Sequence, residues 1–164
     1  MEILKQYLPI CWFKNNPLQL PNSVLFFQRN LAFYFIVEFF TQANMISPFE
    51  ALFEVTAETL FTLLFIFLVL TLNKTMHTYV QVASAVLVSE NVVAIFGVPV
   101  IVWLTVTHDW LSYTVMALLI AWDFALITYI MKKVLAVDLL ASLIVSFIYF
   151  IATYGAAYML TILT

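Results

Sequence analysis

Four carboxylic acids in this chain sit deep within apolar runs. Glu38, Glu58, Glu90 and Asp123 have no Lys or Arg at comparable depth. If those runs cross a bilayer, each acid falls well inside the hydrocarbon, where insertion scales charge an acidic residue roughly 2.5 to 3.5 kcal/mol. Four such groups facing lipid would cost about 10 kcal/mol or more. Several must therefore face the interior of a helix bundle. Two kinds of chemistry suit them there. They line a proton or cation path, or meet the basic group of a substrate. Alternatively they act as neutral acids hydrogen-bonded to Ser, Thr, Tyr or Asn on adjacent helices, or meet cations of a partner subunit.

Neighbouring residues extend the set. Glu50, Glu54, Glu58 and Thr62 follow at four-residue intervals, so they line one helical face. Asn91 adjoins Glu90. Ser89 also adjoins Glu90, but neighbours in a helix point about 100° apart, so the two form no dyad. Ala83, Glu90, Ala94 and Gly97 are spaced by seven, four and three, which places Glu90 among small residues that admit close helix packing. Tyr34, Glu38, Thr41 and Gln42 share a face, as do Ser142, Ser146, Tyr149, Thr153 and Ala156. These faces are expected to look inward and the Phe, Leu and Ile faces to look at lipid. Pro99, two residues after Gly97, is expected to kink or tilt its helix.

The elements that position these groups follow from composition. Of 164 residues, 65% are hydrophobic and 9% charged, against about 25% charged in a soluble domain. The runs are continuously apolar rather than alternating, which favours helices over barrel strands. The expectation is an all-α, polytopic membrane bundle of five transmembrane helices, spanning about Val24 to Ile46, Phe49 to Leu72, Thr78 to Val106, Trp110 to Met131 and Ala136 to Leu163. Residues 24–164 form that domain. Residues 1–23 carry Pro9, Pro17 and Pro21, which break any long helix, and Tyr7, Trp12 and Phe13, which suit the headgroup layer. They are expected to form an N-terminal interfacial or cytoplasmic segment. Asn22-Ser23 and Ser47-Pro48 offer helix caps and starts. No cleavable signal peptide is apparent, so the first span is expected to act as its own insertion signal.

Charge sets the orientation. Lys5, Lys14, Arg29, Lys74, Lys132 and Lys133 all fall on one side of a five-span chain. The positive-inside rule makes that side cytoplasmic, with the N-terminus in and the C-terminus outside. A bacterial inner membrane is the expected location.

Several functions are excluded or left without residues. With six Lys and Arg and a net charge of −3, there is no basic face for nucleic acid. Cys11 is alone, so it forms no internal disulfide, and no metal-ligand spacing occurs. His77 and His108 fall in turns on opposite sides. No nucleophile elbow, phosphate loop or zinc helix is present, so no cofactor and no enzymatic activity are expected.

The span layout, the basic proline-bearing N-terminal stretch and the third span, TYVQVASAVLVSENVVAIFGVPV, resemble small bacterial Yip1-like membrane proteins over residues 20–163. The resemblance implies a non-enzymatic integral membrane protein acting through other membrane proteins or lipids, and supplies no site residues. The leading expectation is a helper or scaffold subunit of a larger membrane complex, of a secretion or trafficking type, whose partners are the bilayer and other membrane proteins or further copies of itself. The alternative is a proton- or cation-coupled transporter or channel using the intramembrane carboxylates.

Overall fold

A computed structural model describes residues 2–155 and 159 of the chain. Among them the regular structure is helical throughout. Helix α1 (Glu2–Tyr7) is followed by two 3₁₀ turns, Leu8–Trp12 and Pro17–Gln19. The long helices are α2 (Val24–Ala43), α3 (Pro48–Leu72), α4 (Tyr79–Thr107) and α5 (Trp110–Leu135). A short helix, α6 (Leu139–Phe150), continues into a π turn, Ile151–Gly155. Helices α2 to α5 are each long and apolar enough to cross a membrane, so this is a membrane protein. The run Leu139–Gly155 is apolar but shorter. Most of the expected fifth span beyond it, including Ala156, lies outside the described residues.

Local chemistry sets the helix ends. The Ser23 hydroxyl accepts from the Phe26 amide and starts α2. Ser47 and Glu50 form a reciprocal capping box at α3, with Pro48 in the first turn where its missing N–H costs nothing. Asp109 and Asp138 cap α5 and α6 in the same way. Helix α4 runs unbroken through Pro99.

Helix α4 is the hub. It packs against α5 on one side and α2 on the other, α6 closes on α5, and α3 bridges α2 to the π turn. Every residue of α4 from Val82 to Asn91 is buried. Outward, Phe33, Phe40, Phe67, Leu118 and Phe147 belong to an extensive exposed apolar surface, far beyond what a soluble monomer shows and suited to lipid.

The N-terminal segment is packed against the bundle. Tyr7 and Ile10 are fully buried and join the core with Cys11. The segment packs on α4 and α5. Its three prolines do prevent a long helix, and irregular backbone beside apolar surface needs donors for its carbonyls. Side chains supply them. Tyr7 donates to the Pro21 carbonyl at 2.8 Å, Gln81 to Leu20 at 2.9 Å, Trp122 to Cys11 at 3.3 Å and Tyr129 to Asn15 at 2.7 Å. The segment is thus a clasp stitched to one end of the bundle. Trp12 and Phe13 remain exposed at its tip.

Candidate functional site

Helices α2, α4 and α5 and the end of α6 enclose a cavity of about 580 Å³. Glu38 and Thr41 of α2, Glu90 and Gly97 of α4, Asp123 of α5 and Tyr154 of the π turn line it. Three of the four sequence-identified acids therefore line one cavity, and among the described residues no Lys, Arg or His lines it.

Glu90 is the most tightly held. It is 5% exposed. Tyr149 donates to its Oε1 at 3.0 Å and Tyr154 to its Oε2 at 3.3 Å. The Tyr149 hydroxyl also lies 3.4 Å from Thr62 Oγ1, which links α3 to the pair. Residues five apart in an α-helix point about 140° away from one another, at about 100° per residue. The π turn Ile151–Gly155 adds a residue to the turn, and so Tyr154 swings round to the side already occupied by Tyr149. Two phenols thus engage both oxygens of one carboxyl.

Asp123 is held differently. It is 6% exposed, and its Oδ1 has no hydrogen-bond partner among the described residues. A buried acceptor left in this state costs about 1–3 kcal/mol. Glu38 is partly exposed on the cavity wall. The remaining sequence candidates lie elsewhere. Glu58 accepts from Gln42 Nε2 at 3.0 Å and ties α3 to α2 away from the cavity. Glu54, one turn earlier, is partly exposed on α3. Asn91 donates to the Asn30 carbonyl at 3.2 Å and ties α4 to α2, with its Oδ1 unpartnered among the described residues. Gly97 faces open space: a Cβ built there meets nothing within 4 Å. Pro99 is exposed and does not line the cavity.

Tyr154 escapes sequence reasoning, because α-helical periodicity places it off the Ser142–Tyr149–Thr153 face. Trp122 also escapes it, although an indole beside a buried acid is a signal for a hydrogen-bonded apolar junction. No family model, curated protein or solved structure matches this chain.

Chemically, the cavity is a largely apolar pocket that carries three carboxyl groups. Two opposite charges about 4 Å apart attract by about 4 kcal/mol at an effective dielectric of about 20. The pocket is equipped to hold a proton or another cation and to exclude anions.

Proposed function

We propose that the protein is a proton- or cation-coupled transporter or channel that works through Glu90, Asp123 and Glu38. The observation that carries this reading is that three acids from three helices line one cavity, whose lining among the described residues holds no cationic side chain. Two tyrosines hold the Glu90 carboxyl in place, and Asp123 on the same cavity has an oxygen without a partner among the described residues. In this reading the chain crosses a bacterial inner membrane five times, with the N-terminus inside and the C-terminus outside. All six Lys and Arg fall at the end of the bundle that carries the clasp, which supports the orientation.

The test is proton movement into liposomes that contain the purified protein, driven by an imposed potential and read with an internal pH dye. Wild type is expected to exceed empty liposomes at least tenfold. Glu90→Gln and Asp123→Asn are expected to fall to the empty level while eluting as wild type on size exclusion. Wild-type flux at the empty level, for protons and for sodium or potassium alike, overturns the reading.

A second reading is favoured by Glu54. This acid lies on α3 outside the cavity, partly exposed, among outward-facing Leu52, Phe53 and Leu60. A carboxyl on a lipid-facing surface fits contact with a partner's cation, and so a helper subunit, as the Yip1-like resemblance implies. Glu54→Leu leaves flux unchanged in either case, but in the helper reading it releases whatever co-purifies with the gently solubilised protein.

A further inference from the structure

We infer that the cavity is the binding site for an amphipathic organic cation, a molecule with an ammonium or comparable cationic head and an apolar body. This rests on the reading of the cavity as a cation site and names what it takes.

The cavity has two unlike kinds of lining. Glu38, Glu90 and Asp123 bring carboxyl groups to it, and Val93, Val98, Ile101, Leu119 and Ile120 bring apolar side chains from α4 and α5. A bare inorganic ion would use the acids and leave the apolar lining empty. A neutral hydrocarbon would use the apolar lining and leave the acids unmatched. A molecule that satisfies both has its positive charge at one end and its apolar body at the other.

Asp123 lines the cavity and is 6% exposed, and its buried Oδ1 lacks a partner among the described residues. Glu90 differs, with both oxygens taken by tyrosines. The vacant acceptor is therefore on α5, where a bound N–H or a soft cationic centre completes it. Phe150 and Tyr154, with ring centroids 5.5 Å apart, also line the cavity and bring to it the aromatic rings that suit a cation. A volume of about 580 Å³ lies inside the roughly 300–1,000 Å³ range of small-molecule sites.

The competing occupants fit less well. Among the described residues no three His, Cys, Asp or Glu side chains come together as a metal-binding group. A phospholipid with an ammonium head brings a phosphate with it, which three carboxyls and no cation would repel. The favoured ligand carries net positive charge.

The probe is radiolabelled tetraphenylphosphonium, measured by equilibrium dialysis against protein in nanodiscs of phosphatidylcholine. Saturable binding at one site per chain is expected, competed by decylamine and not by decanol. Asp123→Asn is expected to weaken it at least tenfold. Gly97→Phe fills part of the cavity from a position with open space around it, and is expected to abolish binding while the elution profile and melting temperature stay at wild-type values. Binding no greater than to empty nanodiscs, equal competition by decanol, or affinity unchanged in both variants overturns the inference. So does displacement by nanodiscs of phosphatidylethanolamine, which would make the ligand a zwitterionic lipid. Flux without tetraphenylphosphonium binding removes this inference and leaves the proposed function standing. Binding without flux does the reverse.

Discussion

From Val82 to Asn91, helix α4 buries every residue; from Val92 to Thr107 it buries none. The buried half holds Ser84, Ser89, Glu90 and Asn91, whereas the open half holds no polar side chain but Thr105 and Thr107, so it is the more apolar half that stays exposed, as lipid permits. What separates them is what the rest of the chain lays against each. The first half is pressed between α2 and α5, and its end of the bundle carries the N-terminal clasp. Beside the second half the neighbouring helices stand apart around the cavity. One end of the bundle is therefore built for stability, and the other keeps space for something else. In lipid this division is affordable, because the open half loses little by facing acyl chains in place of protein.

The largest expected effect breaks the packed end. Tyr7 is fully buried, stacks 4.8 Å from Phe26 and donates to Pro21. Tyr7→Ala is expected to cost about 3–5 kcal/mol, in the range for buried aromatic truncations, read as a lower SDS-unfolding midpoint. Cys11 reports the same event. Burial disfavours the thiolate and pushes the Cys11 thiol up to about 11, so at pH 8 only about one thiol in a thousand is ionised. Maleimide labelling of wild type is expected to be slow and to rise with pH toward 11; in Tyr7→Ala it is fast at pH 8. Equal labelling rates in the two proteins would show that the clasp does not cover Cys11.

The next effect sets the halves directly against each other. Ala85 is fully buried, and Ala85→Phe forces extra volume into a filled site, at about 1–3 kcal/mol. Gly97→Phe on the open half is expected to leave the melting temperature within a degree or two. If both variants lose stability equally, the open half is as tightly packed as the other.

This contrast also marks what the sequence revealed and what it hid. The four long helices were legible within a few residues, because their apolar runs and the caps at Ser23 and Ser47 are local signals. That several of the four acids face inward was legible too, since a lone acid in hydrocarbon has few other places to go, and Glu58, Glu90 and Asp123 are buried. The clasp was not. Aromatic residues among prolines read equally as a headgroup layer or as a packed segment, and the choice depends on Trp122, Tyr129 and Gln81, which are distant in sequence. Tyr154 was hidden for a different reason: a π turn changes the period locally, and residues 151–155, IATYG, carry no composition that announces it.

A smaller effect sharpens the open end. Tyr149→Phe removes the 3.0 Å bond to Glu90 and the Thr62 contact. An interhelical bond of this kind is worth about 1 kcal/mol in a membrane, or about fivefold in an equilibrium. Tetraphenylphosphonium affinity is expected to change about fivefold. Tyr154→Phe, whose bond is longer at 3.3 Å, is expected to change it less. The opposite ranking would place the π turn, rather than α6, in charge of the Glu90 carboxyl.

The smallest effect lies at the exposed turn between α4 and α5, beyond the open half. There no clasp helps, and local caps hold the chain. His108 takes a left-handed conformation that ends α4, and Asp109 accepts from the Ser112 amide at 2.8 Å to begin α5. Hydrogen bonding from Ser112 holds the Asp109 carboxyl below its usual 3.8. A depressed folded-state value means stability that is present above pH 3.8 and lost as pH falls through the folded-state value. The difference in melting temperature between wild type and Asp109→Ala is therefore expected to be small and constant from pH 7 to about 5, and to vanish toward pH 2. At the packed end the corresponding turn is tied across the bundle, with Asn73 donating to the Val134 carbonyl at 3.2 Å. Neither group there titrates, so Asn73→Ala is expected to cost stability by an amount that does not change over the same pH range. A pH-dependent loss at Asn73, or a pH-independent one at Asp109, would mean that the two turns are not held by the different means assigned to them.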